Sequence, residues 1–152
     1  MKLSDVIAQD HIIPELKATD KRAALSELAE VICSLYSDID KGLLVRVLID
    51  REQLGSTGIG DGVAIPHGKL SSVKHPIVSF GRSKEGLDFD AMDGQPVHLF
   101  FLLLAPENSS GFHLQVLTRI AKILKNSSFR KALMEAPTRE AIYHKIIQSD
   151  EE

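Results

Sequence analysis

The chain has 152 residues with a single cysteine, no tryptophan and only 5% aromatics. One thiol cannot close an internal disulfide, so Cys33 points to a reducing compartment and to a fold held by its core alone. There is no basic excess either. Eighteen Lys and Arg stand against 21 Asp and Glu, a net charge of −3, which leaves nothing to draw the chain to a phosphate backbone and excludes nucleic acid as an expected partner. Long apolar runs are also missing. The longest, Leu99-Phe100-Phe101-Leu102-Leu103-Leu104-Ala105, falls far short of the ~20 residues that span a bilayer, so no membrane insertion is expected. The start, Met1-Lys2-Leu3-Ser4-Asp5, lacks the apolar stretch and cleavage site of a secretory signal. Repeats, linkers and low-complexity blocks are absent, and only the acidic end, Asp150-Glu151-Glu152, reads as frayed. These absences leave a cytoplasmic, single-domain protein over residues 1–152 as the expectation.

What is present supports a packed domain. Hydrophobic residues make up 43% and charged residues 26%, and a chain of this length buries about 70% of its unfolded surface. Ile12-Ile13 before Pro14 reads as a short edge strand. Leu25, Leu28, Ala29, Ile32 and Leu35 fall at helical spacing between Lys21 and Tyr36. Asp40 is placed to cap a second helix running to about Leu54, with Gly55 as its stop. Residues 55–62 form a glycine-dense loop, and Val63-Ala64-Ile65 a short strand ended by Pro66. Ile77–Phe80 and Val97–Leu104 read as strands, the second apolar enough to be covered on both faces. Helices are predicted over Phe112–Lys125, Ser128–Glu135 and Thr138–Gln148. Helices before and after a buried sheet give an α/β fold, a three-layer α/β/α sandwich with a small mixed central sheet.

The glycine loop invites a nucleotide reading, and the spacing refuses it. Gly68-Lys69 is followed by Leu70 and has Val63 where a Walker A loop begins with glycine, and Gly60-Asp61-Gly62 is followed three residues on by Ile65 instead of a third glycine. Neither Ser56 nor Ser110 lies in G-x-S-x-G. The histidines at 11, 67, 75, 98, 113 and 144 show no metal-ligand spacing, so neither a metal nor a cofactor is expected.

Two polar residues lie where the helical pattern asks for carbon. Leu44, Val47, Leu48 and Leu54 share one sector of the second helix, with Arg51 in its middle and Arg46, Asp50 and Gln53 opposite. In the later helix His113 heads the apolar stripe of Val116, Leu117, Ile120, Ala121, Ile123 and Leu124. Arg51 could snorkel at a helix end, and His113 could be a satisfied core histidine. A third residue, His67 in Ala64-Ile65-Pro66-His67-Gly68-Lys69, follows a strand, where chemistry collects in α/β sheets. Gly68 beside it permits close approach. A neutral imidazole is a nucleophile at pH 7, and attack on a phosphoryl group needs cations and N–H donors around the transferred oxygens. Arg51 can supply a bidentate guanidinium, His113 a hydrogen bond, and Ser56, Thr57 and Gly58 in the loop can supply hydroxyls and backbone N–H groups.

The run Arg51-Glu52-Gln53-Leu54-Gly55-Ser56-Thr57-Gly58-Ile59-Gly60-Asp61-Gly62-Val63-Ala64-Ile65-Pro66-His67-Gly68-Lys69 resembles the phosphorylation-site signature of the enzyme IIA domains of the bacterial phosphoenolpyruvate-dependent phosphotransferase system. It is similar to the fructose/mannitol superfamily and most of all to its nitrogen-regulatory branch. Asp88–Val97 and Leu103–Glu107 with His113-Leu114 resemble two further blocks, so the likeness spans essentially the whole chain. The resemblance implies that His67 carries a phosphoryl group on a ring nitrogen, that His113 supports it without being phosphorylated, and that Arg51 neutralises the phosphoryl charge, with Ser56 and Thr57 lining the pocket. It implies an HPr-like phosphocarrier as donor and regulatory target proteins as partners. Lys69 stands where arginine is also usual, keeping the charge and losing the fork, and His98 stands where an acidic residue is frequent. Two other functions remain open on the sequence: a sugar-specific component passing phosphate to a IIB cysteine, and a binding module that has lost transfer.

Overall fold

The longest apolar run dictates the architecture. In the computed structural model, which describes residues 2–151, Val97–Pro106 is a strand (β6) buried over nearly its full length. Alternate residues of a strand face opposite ways. Leu99, Phe101 and Leu103 therefore enter one apolar core, and Phe100, Leu102 and Leu104 enter another. Two cores on the two faces of one sheet need two layers of helix, which is the three-layer α/β arrangement expected from the sequence.

Among the described residues five α-helices and six strands form this body. The strands are β1 (Ile12–Ile13), β2 (Gly58–Gly60), β3 (Val63–Ala64), β4 (His67–Leu70), β5 (Ile77–Leu87) and β6. The sheet runs β1-β5-β6-β3-β2, and β4 also pairs with β6. It is mixed: β1 lies parallel to β5, β5 antiparallel to β6, β3 and β4 parallel to β6, and β2 antiparallel to β3. Helices α1 (Lys21–Leu35) and α2 (Lys41–Gln53) cover one face, while α3 (Ser110–Leu124), α4 (Ser127–Glu135) and α5 (Arg139–Glu151) cover the other. The cap expected at Asp40 is present, its carboxylate accepting from the Leu43 N–H at 2.8 Å.

Four readings of the sequence need correction, the first being the strand expected over Ile77–Phe80, which runs on to Leu87. The glycine loop contains a strand, β2, which turns back on β3 through Asp61 and Gly62, both at positive φ (57° and 76°). The strand before Pro66 ends at Ala64, one residue short of the expected Ile65, but a further strand follows Pro66 at once. The Pro66 carbonyl accepts from the Leu103 N–H at 2.9 Å, and β4 resumes the ladder at His67↔Leu103. The proline forfeits one donor only, as proline does on a strand edge. The acidic end is not frayed over its described part. The Asp150 carboxylate accepts from the Leu3 N–H at 2.7 Å and from Arg119 Nε at 2.9 Å; Glu152 lies outside the described residues. No helix among the described residues is long and apolar enough to cross a membrane.

Candidate active site

His67 opens β4, which pairs with β6 along one side. A residue on such an edge can be reached from both helical layers at once. On one side α2 packs against β4 very closely: a Cβ on Gly68 would stand 2.7 Å from Val47 Cγ1, so only glycine admits this approach without displacement. The approach brings Arg51, in the last turn of α2, onto the histidine. Its Nε–H donates to His67 Nε2 at 3.2 Å, and its Nη1–H donates to the Gly55 carbonyl at 2.9 Å. From the other layer comes His113 in the first turn of α3, its ring centroid 5.2 Å from that of His67 and tilted by 58°. It continues the buried stripe of Val116 and Ile120, as the helical spacing predicts.

The hydrogen bonds fix the state of the His67 ring. A carbonyl can only accept, so the 2.9 Å contact between His67 Nδ1 and the Ile65 carbonyl places the proton on Nδ1. Nε2 then holds a free lone pair, which is what the Arg51 Nε–H meets. His113 is only 9% exposed, and its Nδ1 is buried without a hydrogen-bond partner among the described residues. Burial, then the neighbouring His67 and Lys69, push its pKa below the usual imidazole value, so it stands neutral at pH 7. A cleft of about 480 Å³ opens over these groups, with Val47 and Leu54 as apolar walls, Arg51 and Lys69 as cations and Asp50 as an acid.

The other loop residues do not come to this cleft. The Ser56 hydroxyl donates to the Phe89 carbonyl at 2.7 Å and accepts from the Gly58 N–H at 3.0 Å. The Thr57 N–H donates to Glu52 Oε1 at 3.0 Å, and its hydroxyl to Glu52 Oε2. Gly58 lies flat on Ala91, whose Cα would be 2.9 Å from an added Cβ. The Ser56 and Thr57 hydroxyls and the Thr57 and Gly58 N–H groups, expected as anion-binding donors, are thus committed inside the turn and to its neighbours. Leu54, expected on the apolar face of α2, is 85% exposed, because the helix ends before it. His98 lies five residues before Leu103 on β6, with its Nδ1–H donating to the Ser83 carbonyl at 3.0 Å, well away from His67.

The family is decided by the match of residues 5–149 to the profile of the phosphoenolpyruvate-dependent sugar phosphotransferase system, EIIA 2. The chain belongs to that EIIA family. It is 43% identical over 143 residues to the nitrogen regulatory protein of Bradyrhizobium diazoefficiens, covering 94% of this chain and 93% of that one. It is 36% identical over 150 residues to the fructose-specific EIIABC component of Bacillus subtilis, covering 99% of this chain and 24% of that longer protein. The crystal structure of the nitrogen regulatory protein IIA-Ntr from Neisseria meningitidis superposes with a TM-score of 0.89 at 35% identity, covering 95% and 98% of the two chains. This EIIA chain is accordingly a phosphotransferase-system component whose relatives include nitrogen regulatory proteins.

One buried acid, next to Arg51 in the chain, is not among the residues singled out from the sequence. Glu52 is 8% exposed, with Lys21 Nζ 3.1 Å from its carboxylate. The signal was available: Leu44, Leu48 and Glu52 follow one another at four-residue steps on α2, and all three are buried. Among the described residues no group of three or more His, Cys, Asp and Glu is placed to hold a metal.

Proposed function

We propose that this EIIA chain is a phosphohistidine carrier of the nitrogen-regulatory phosphotransferase branch, acting in the cytoplasm. It accepts a phosphoryl group from an HPr-like phosphocarrier on Nε2 of His67 and acts on regulatory target proteins through its phosphorylation state. The observation that carries this is the ring assignment of His67: Nδ1–H held by a carbonyl, Nε2 free and facing a guanidinium. In the transfer, the Nε2 lone pair forms a bond to phosphorus, the donor's N–P bond breaks, and its electron pair returns to the donor ring. No proton has to move. The Ile65 carbonyl offsets the positive charge that builds on the His67 ring, while Arg51 turns from Nε2 to the phosphoryl oxygens and Lys69 adds a second cation. His113, neutral and close by, keeps a hydrogen-bonding group beside the transferred oxygens. Leu54 lines the cleft, and Phe112 and Leu114 flank His113 in the chain; all three expose apolar side chains, which suits the docking of a protein donor.

The nitrogen branch is favoured by the higher identity to a nitrogen regulatory relative, 43% against 36% to a fructose-specific component. The 36% identity to a fructose-specific component supports a second reading, in which phosphate passes on to a IIB cysteine. Intact-protein mass spectrometry separates the possibilities, after incubation with phosphoenolpyruvate, enzyme I and either HPr or its nitrogen-branch paralogue at alkaline pH. Wild type is expected to gain one phosphoryl group, fastest from the paralogue, His67→Ala none, and His113→Ala the same group more slowly. Equal labelling of the His67→Ala protein refutes the assignment, rapid onward transfer to a purified fructose IIB domain favours the sugar branch, and no labelling of folded wild type by either donor indicates a binding module.

A further inference from the structure

The buried carboxylate of Glu52 has no place in the transfer step, yet it touches the site at both ends through one residue. Glu52 holds Thr57 by its N–H and by its hydroxyl, and Lys21 supplies the charge that lets the carboxylate stay buried. Toward one end, the short turn between Glu52 and Thr57 carries Gly55, whose carbonyl takes the Arg51 Nη1–H at 2.9 Å. Toward the other end, the Thr57 carbonyl accepts from the Ile65 N–H at 3.0 Å. The Ile65 carbonyl in turn accepts from His67 Nδ1–H at 2.9 Å. Arg51 and His67, which meet across 3.2 Å, are therefore each tied back to Thr57.

We propose that Glu52 and Thr57 act as a positioning pair for phosphoryl transfer, fixing both the Arg51 guanidinium and the His67 ring from a single buried anchor. The pair touches no phosphoryl oxygen. Its effect is on the aim of two groups that do, and misplacement of about 1 Å in such groups can slow a reaction by as much as ~100-fold. The proposal rests on His67 being the phosphoryl acceptor.

The test uses Thr57→Val, which keeps the volume and the backbone N–H and deletes the hydroxyl, together with Glu52→Ala, the double variant, and Thr57→Ser, which restores a hydroxyl. Transfer from the phosphorylated donor is followed by rapid quench, and thermal unfolding confirms that each variant is folded. The expected result is a fall in kcat on the order of 10-fold for Thr57→Val with the KM for the donor little changed. Recovery is expected in Thr57→Ser, and the double variant should be no slower than the worse single one, as befits residues acting as a unit. A readout independent of phosphorylation is the ¹⁵N spectrum of the His67 ring. Wild type should show a protonated Nδ1 and a bare Nε2, and Thr57→Val a mixture of the two tautomers. Wild-type rates and a wild-type ring spectrum in folded Thr57→Val and Glu52→Ala overturn the positioning role. If wild type takes up no phosphoryl group at all, it is the acceptor assignment that fails, and the ring spectrum still decides whether the pair orients His67.

Discussion

A histidine used as a nucleophile needs one nitrogen bare and the other firmly protonated, and at His67 both conditions come from single neighbours. The Ile65 carbonyl sets the tautomer, and the Arg51 N–H marks the bare nitrogen. His67, Arg51 and His113 could all be picked out in the sequence, because each breaks a pattern: a titratable ring after a strand, or a polar side chain on an apolar helical face. Glu52 breaks a pattern equally, but it adjoins Arg51 in the chain, and within one helical turn the two charges blur the apolar face that either alone would interrupt. Two other histidine properties have a measurable consequence. Burial pushes the pKa of His113 below the usual value, as it does for His11, whose ring lies between the Val78 carbonyl and the Tyr36 hydroxyl. The unfolded chain then binds more protons than the folded one below the ordinary imidazole pKa of about 6.5, so stability is complete above that pH and declines as pH falls through it toward the folded values. Urea midpoints should therefore drop from about pH 7.5 to about pH 5.5. The drop should be smaller in His11→Gln, whatever that variant's absolute stability, since glutamine does not titrate. An unchanged slope in the variant would show that His11 carries its proton equally in both states.

At the scale of elements, the site exists because an edge strand passes between two helical layers, and β4 was the strand least legible in the sequence. Pro66 masked its start, and its four residues are too few to show a period. Likewise β2 hid among glycines whose positive φ angles serve the reversal into β3. Long elements with strong patterns, such as α1, α2 and β6, could be read nearly end to end, since their burial depends on their own residues. The short strands depend on which neighbour they pair with, and that is decided elsewhere in the chain. Gly68 shows how tightly the elements are drawn together. Gly68→Ala should force α2 from β4 through the contact with Val47 and destabilise the fold by about 1–3 kcal/mol, the usual penalty of overpacking. It should slow labelling of His67 as well, because Arg51 rides on the displaced helix. Adding Val47→Ala removes the clashing methyl, and chemical denaturation of the two single variants and the double should then reveal compensation in a double-mutant cycle. Simple additivity would mean that the contact does not set the spacing of α2 and β4.

At the scale of the whole molecule, the sheet, one helical layer and the chain's early segment are joined by a residue with no part in the proposed chemistry. Arg82 lies on β5 only 2% exposed, and among the described residues it makes no hydrogen bond to a carboxylate. Its guanidinium donates instead to backbone carbonyls: Pro14 at 2.9 Å, Leu133 at 2.8 Å and Ala136 at 2.6 Å. The last two lie at and just beyond the C-terminal end of α4, where unpaired carbonyls and the helix dipole favour a cation. One side chain thus ties the segment after β1, the sheet and the α4–α5 junction, parts of the chain more than fifty residues apart. Nothing local announces this. Gly81-Arg82 resembles the end of a strand, and β5 was expected to stop at Phe80; it continues to Leu87 because partners distant in sequence satisfy the charge. Removing the guanidinium leaves these carbonyls buried with no donor. Arg82→Met, which keeps the apolar stem, should therefore cost about 3 kcal/mol in urea unfolding. The folded fraction should still take up one phosphoryl group at the wild-type rate, since the clamp lies apart from the cleft. A stable Arg82→Met protein would mean that the helix end and the Pro14 segment find other donors. A folded variant slow in labelling would instead couple this clamp to the site.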